Sequence, residues 1–398
     1  MFETLLKHYD SFKDHTLNQR RISDDKWNLL LNNWKNSPLL GVKEIGKSYQ
    51  NRSINEVTFG KGKIKIAAWS QMHGDEATAT LALADIYTFL SKPIQELEEI
   101  WQKIHQNICF HSIPQLNRDG AYLWQRETAL GIDMNRDATK QNSPEAKLLS
   151  NWVDQINPLF SINLHDQNRL YSAGNSKYQT QIALLATPGD EVGTWTESRI
   201  RAGKLANHLC KKLKPIIGNN LAKWTDEYES RAFGDTFQKR GYGLLLIEAG
   251  GMQWDLEKNY LRKLNACMIL DSLYQIATGK WELESLNEYN SLLTNEKYIA
   301  DIKIINAPLT LDGTQRADIL FNIKEEKSGT ENINFSWKIE DIGDMSHIHG
   351  LTEINGTDLT IIGNSLPEKE KEYHQFVLGK GNEEFFKLSN YTNKINKI

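Results

Sequence analysis

The chain has 398 residues, 39% of them hydrophobic and 25% charged, with a net charge of −4; that length exceeds one typical domain, and two are expected. The slightly acidic balance offers no electrostatic case for nucleic acid, whose binders concentrate positive charge, and no apolar run approaches the length of a membrane span. Charges interrupt residues 1–10, where a secretory signal would need its apolar stretch, and three dispersed cysteines, Cys109, Cys210 and Cys267, form neither a disulfide framework nor a zinc spacing, so buried structural thiols and a cytoplasmic location are the expectation.

Apolar positions at helical spacing, as in residues 27–34, predict one or two short helices over the first forty residues, packed on the main body. From Gly41 the pattern changes, and residues 56–60 and 63–69 read as strands across a Gly-containing turn. Residues 77–90 are Ala/Leu-rich and helical in period, and 107–114 form another strand. Ser143-Pro144-Glu145 places an N-cap residue, a proline at the first helical position and an acid in the first turn, which starts a helix running to about residue 156. Apolar strands follow at 159–165 and 242–248, with a helix at about 194–213 between them and a long helix at roughly 256–278.

Strands alternating with helices, some apolar on both faces, predict an α/β fold with a mixed central sheet flanked by helices. After about residue 289 the chain alternates apolar and polar residues at 301–305, 317–323 and 334–339, separated by turn-rich spacers. That pattern predicts an appended antiparallel β-sandwich. The expected organisation is a helical segment at 1–40, a catalytic unit at 41–288 and a β-sandwich-like unit at 296–398.

The segment His73-Gly74-Asp75-Glu76 follows an apolar strand and opens a helix. A neutral imidazole and a carboxylate are ordinary zinc ligands, and a catalytic zinc takes three protein ligands. The third should come from a different strand end, and His165 in Asn163-Leu164-His165-Asp166 fits. Glu248 ends an apolar run, where a carboxylate is costly to bury without a partner; a general base is the sharper reading, a structural ion pair the plainer one. Open α/β sheets bind ligands beyond the carboxyl ends of their strands, and His73, His165 and Glu248 all stand at such ends. Asn117-Arg118-Asp119-Gly120, Arg126 and Asp133-Met134-Asn135-Arg136 supply anion-binding chemistry, since guanidinium offers a planar fork of donors to a carboxylate or a developing oxyanion.

The ordered set His73-x-x-Glu76, Asn117-x-Asp119-Gly120, Arg126, Asp133-x-Asn135-Arg136, His165 and Glu248 resembles zinc metallocarboxypeptidases of the carboxypeptidase A type over roughly residues 40–280. The run from Gly46 to Ile54, with Ser48 and Arg52, is similar to that family's lead-in. The resemblance implies a mixed eight-stranded sheet between helices, one zinc per chain, and removal of C-terminal residues from peptides. By it, His73, Glu76 and His165 hold zinc, and Glu248 is the general base that returns its proton to the leaving amine. Arg126 polarises the scissile carbonyl, and Asn135 with Arg136 holds the substrate carboxylate. Two features depart from the family: Arg118 replaces the usual proline of Asn-Pro-Asp-Gly, and the capping tyrosine has two possible matches, Tyr228 at about the right distance from Glu248 and Tyr242 much closer. Residues 230–241 are expected to line the side-chain pocket, where Arg231 would favour an acidic group or stand solvated.

The nearest alternative is the deacylase branch of the same fold, similar to succinylglutamate desuccinylase and aspartoacylase, whose substrate is an N-acyl amino acid. The 117–120 loop, Arg126 ahead of Asp133 and the long separation of Glu76 from His165 favour the peptidase. Either substrate carries a free carboxylate. An alternative of another class is a non-catalytic binding protein on the same fold. His347 and His349 share a strand face but lack a third ligand, and read as surface residues.

Overall fold

The computed structural model describes residues 1–363, 365–373, 375–380, 383–389 and 396–397. Two helices lead the chain, α1 (Phe2–His8) and α2 (Asp24–Lys35). The Ser23 hydroxyl caps α2 by accepting the Lys26 amide at 3.3 Å, and Trp27, Leu30, Leu31 and Trp34 form its buried stripe. This is the helical spacing seen in the sequence.

Eight strands follow: β1 (Gly41–Lys47), β2 (Ser53–Phe59), β3 (Ile64–Trp69), β4 (Ile108–Ile113), β5 (Phe160–Asp166), β6 (Ile182–Ala186), β7 (Leu221–Lys223) and β8 (Leu244–Ala249). They form one sheet in the order β1-β2-β4-β3-β5-β8-β6-β7. β4, β3, β5 and β8 are parallel to one another, while β2 and β6 pair antiparallel on either side of them. Helices cover both faces. On one, α3 (Thr78–Ser91), α4 (Glu98–Asn107), α7 (Glu197–Ile217) and α9 (Asn259–Thr278) build the larger core, joined by α1 and α2. On the other, α6 (Pro144–Ile156) and α8 (Phe233–Lys239) pack Leu149, Trp152, Phe233 and Phe237 against Trp69, Ile113, Leu244 and Leu246. A short α5 (Arg118–Leu123) lies between β4 and α6.

The strands and helices expected from periodicity appear, with ends displaced by a few residues. β1, β6, β7, α4, α5 and α8 were not legible. β6 is fully buried; its short, Ala-rich run is apolar on both faces and carries no period-2 signal. No helix among the described residues is long and apolar enough to cross a membrane. Cys210 and Cys267 are buried, as expected, whereas Cys109 is half-buried with its Sγ 3.2 Å from His111 Nε2.

The N-terminal helices are tied down through Asp85 of α3, which is fully buried. It pairs with the Arg262 guanidinium of α9 and accepts the Tyr9 hydroxyl at 2.6 Å and the Asp14 amide at 2.7 Å. Removing one partner of a buried ion pair leaves the other charge uncompensated. Asp85→Ala is therefore expected to lower unfolding free energy by about 3–5 kcal/mol, read as a fall in the urea midpoint; a shift under about 1 kcal/mol would show the pair to be dispensable.

Beyond α9 the chain is all β among the described residues from Asn295 onward. β9 (Ile299–Pro308), β10 (Arg316–Ser328), β11 (Asn332–Gly343), β12 (His349–Asn355) and Glu372–Tyr373 form one sheet. Thr360–Ile361, Gln375–Lys380, Glu383–Ser389 and Asn396–Lys397 form a second. Ile302, Phe321 and Trp337 of the first share a core with Phe376, Leu378 and Phe386 of the second. The expected antiparallel sandwich needs one correction. β12 pairs with β9 in parallel, Ile299 opposite His349, because the chain crosses the β10–β11 hairpin before returning beside β9. The β unit is seated by ion pairs from Arg20 to Glu325 at 2.8 Å and from Arg169 to Asp301 at 2.5 Å. Gln253 also donates to Thr352 at 2.9 Å.

Candidate active site

β3 delivers His73 into the loop before α3, and His165 is the penultimate residue of β5. Both rings are buried. The two Nδ1 atoms converge on one carboxylate: His73 Nδ1 lies 2.7 Å from Glu76 Oε1, and His165 Nδ1 lies 2.8 Å from Glu76 Oε2. The three donor atoms lie within 4.8 Å of one another, the one such group of His, Cys, Asp or Glu among the described residues. Neither His347 nor His349 belongs to one.

The surroundings hold this geometry. Asp133 Oδ1 sits 3.2 Å from His73 Nε2, an arrangement that fixes ring orientation and leaves Nδ1 to face inward. The Asp166 amide donates to Glu76 Oε2 at 3.1 Å. Burial alone would raise the Glu76 carboxyl, but the two imidazoles outweigh it and hold it well below the ordinary range. Burial opposes protonation of His73, yet Glu76 and Asp133 lift it to about 9, while His165 is driven down, first by burial. Two imidazole nitrogens and a carboxylate are a donor set that fits a catalytic zinc.

Glu248 reaches the same place from β8, because β5 and β8 pair with His165 directly opposite Glu248. It is 6% exposed, and burial followed by the nearby Glu76 charge raises its pKa well above the carboxylate range. Arg126 donates through Nε and Nη2 to Asp133 Oδ2 at 3.2 and 3.1 Å, and its Nη1 lies 3.3 Å from Glu76 Oε1. Asp133, whose carboxyl is held low by His73 and Arg126 against the pull of burial, therefore orients both. Its bridging role was not read from the sequence; the only signal was its place two residues before Asn135.

A cavity of about 550 Å³ opens from this group. Its walls include Asn135, Arg136, Tyr228, Asp235 and Glu248. Asn135 Oδ1 accepts the Phe233 amide at 3.0 Å, which leaves its Nδ2 as a donor. Arg136 is half-exposed, 3.5 Å from Glu229. Tyr242 instead donates to Asp154 at 2.9 Å away from the cavity. Arg231 turns outward onto Glu229, so the wall within residues 230–241 is made by Ala232, Gly234 and Asp235. Burial pushes the Asp235 carboxyl up to about 7.

Arg118 is a further correction. Its side chain is buried, pairs with Asp24 at 2.9 Å and lies over Trp27, 4.8 Å from the ring centre. It binds α2 to the body rather than an anion in the cleft. Asn117 caps α5 by accepting the Gly120 amide at 2.9 Å, and Asp119 receives Ser48 at 2.7 Å and Arg52 at 2.8 Å. The lead-in motif thus locks the loop that carries Arg126. A Cβ on Gly74 would lie 2.0 Å from the Gly120 backbone, so the loop bearing His73 and helix α5, which precedes Arg126, touch backbone to backbone.

Residues 31–253 match the Peptidase_M14 zinc carboxypeptidase family model. Among solved structures, the chain is similar to a metallo-carboxypeptidase from Burkholderia cenocepacia, at 16% identity and a TM-score of 0.53 over 65% of this chain and 70% of that one. It is also similar to carboxypeptidase A from Helicoverpa armigera, at 14% identity and a TM-score of 0.51 over 70% and 81%. In sequence, it is 28% identical to carboxypeptidase SOL1 of Arabidopsis thaliana over 24% of this chain and 21% of that protein. It is 26% identical to an uncharacterised protein of Zymomonas mobilis over 32% of this chain and 33% of that one. The match thus spans about a third or less of either sequence relative. A mixed eight-stranded sheet between helices, with a buried His-Glu-His group at the carboxyl ends of its central strands, is the architecture of a metallocarboxypeptidase-like hydrolase. This chain belongs to the zinc carboxypeptidase family.

Proposed function

We propose that the protein is a zinc-dependent carboxypeptidase that removes the C-terminal residue of a peptide. The observation that carries this reading is the convergence of His73, Glu76 and His165 on one cavity also lined by Glu248, Asn135 and Arg136. In this reading the three residues hold one zinc per chain, which would act as a Lewis acid and lower the pKa of water. Glu248 takes a proton from the attacking water and passes it to the leaving amine, the role suited to a carboxylate whose pKa is raised by burial. Arg126, fixed by Asp133, supplies a donor to the oxyanion that develops as the carbonyl becomes tetrahedral. Asn135 and Arg136 bind the terminal carboxylate, and Tyr228 covers the occupied pocket. Residues 41–288 form the catalytic unit, with 1–40 as a helical support and 296–398 as a separate β unit.

The test is the zinc-loaded protein assayed on C-terminally free peptides, their amides and N-acyl amino acids, with released amino acids identified. Preference for free peptides is expected, and turnover of N-acyl amino acids alone would favour the deacylase reading. Arg136→Ala is expected to raise KM for free peptides by about 10- to 100-fold, since a charge-assisted hydrogen bond contributes roughly 1.5–3 kcal/mol. Peptide amides should be unaffected. An equal effect on both would remove the carboxylate-anchor assignment.

A further inference from the structure

A second cavity of about 450 Å³ adjoins the first. Both are lined by Glu76, Arg126, Asp166, Gln167 and Asn168, so they meet at the His-Glu-His group. The second lacks Asn135 and Arg136, and its far wall is the β unit: Asn322, Ile323 and Glu325 of β10 with Glu340 of β11. If the terminal carboxylate sits at Arg136, the portion of the substrate upstream of the scissile bond must leave through this second chamber.

The chamber's charges are not balanced. Its cations are all paired: Arg20 with Glu325 at 2.8 Å, Arg126 with Asp133 at 3.1 Å, Arg169 with Asp301 at 2.5 Å and Lys258 with Asp166 at 3.2 Å. The exposed Glu340 carboxylate has no direct ion pair among the described residues: Lys338 and Lys369 stand near enough to feel its charge but bind Glu370 and Asp341 instead. The backbone also singles this residue out. Phe321 pairs with Ile339 and Leu320 with Asp341, which leaves Glu340 as the extra residue of a β-bulge. Bulges re-aim a side chain and recur beside active sites. Asp166, with its side chain 5% exposed, keeps a buried Oδ1 without a partner at the same chamber.

We propose that the β10–β11 hairpin is the upstream wall of the substrate cleft, and that Glu340 selects substrates carrying a cationic nitrogen on the acyl side of the scissile bond. This inference rests on the carboxypeptidase reading and extends it to the other half of the substrate. The nitrogen is either the free α-ammonium of a dipeptide or a basic side chain in a longer peptide, and the two are separable.

The experiment compares the zinc-loaded full chain with Glu340→Gln and Glu340→Lys, checking by thermal melting that each is folded. One pair of substrates is a dipeptide with a free amine and its N-acetyl form. The other is an N-acetyl tripeptide with lysine or norleucine just upstream of the scissile bond. The wild type is expected to favour the cationic member of at least one pair by tenfold or more in kcat/KM, and which pair responds identifies the source of the nitrogen. Glu340→Gln should bring that ratio close to one while leaving the uncharged substrates unchanged, and Glu340→Lys should invert it. Turnover with no such preference, or a preference that both variants retain, overturns the inference alone. Absence of turnover on every peptide overturns the carboxypeptidase reading and the inference with it.

Discussion

Glu248→Gln is expected to lower kcat by about a thousandfold, within the range attributed to a positioned general base, while the protein keeps its fold and its zinc. The amide has the shape of the carboxyl but cannot accept the proton of the attacking water. Of its nearest carboxylates, Glu76 belongs to the candidate zinc donors and Asp166 is paired with Lys258 through Oδ2. The fold should tolerate the change, because burial already disfavours the charged form of this residue. The sign of the pH dependence follows. A carboxyl raised by burial loses its proton only above the ordinary carboxylate range, so kcat/KM should climb with pH through that raised value. Burial, the larger cause, persists when a cation occupies the site. Steady-state kinetics and elemental analysis check the prediction together. A variant within tenfold of wild-type activity would take the base assignment away from Glu248.

The second large effect concerns the donor group. His165→Ala leaves only His73 and Glu76, one donor fewer than a catalytic zinc takes from protein. Loss of stoichiometric zinc is expected, with loss of activity to background. A readout independent of activity is available, because a ligand that binds only the native state stabilises it by about 4 kcal/mol at a thousandfold excess over its Kd. Added zinc should therefore raise the melting temperature of the chelated wild type by several degrees and leave His165→Ala unmoved. An equal rise in both would show that the metal binds elsewhere. Asp133→Asn should be milder. It keeps every donor but loosens the His73 ring and Arg126, and losing a group that orients a metal ligand weakens metal binding by about 10- to 100-fold.

The contrast between Arg118 and Arg126 shows where sequence reasoning stops. Both stand in the same polar stretch after β4, and both were read as anion-binding. One is buried over Trp27 and paired with Asp24; the other faces the cleft beside Glu76. Nothing local separates them, because the difference lies in α2, far away in sequence, packing against α5. The same holds for Tyr228 and Tyr242: spacing ranked them, but only the Asp154 contact takes Tyr242 away from the cavity.

The sequence alone placed the candidate donor and base residues along the chain. Apolar runs that end at or just before His73, His165 and Glu248 mark strand termini, since hydrophobic periodicity reports where an element stops and which face it buries. Cap residues at Ser143 likewise announced the start of α6, and the Ser143 hydroxyl does accept the Ala146 amide at 3.3 Å. What only the tertiary structure decided is which termini become neighbours. Strand order and register set His165 opposite Glu248, fold Asp133 between His73 and Arg126, and bring β10 and β11 to the far wall of the cleft. Those are long-range pairings. Their free energy comes from surfaces that do not exist until the chain is folded, so no local pattern encodes them.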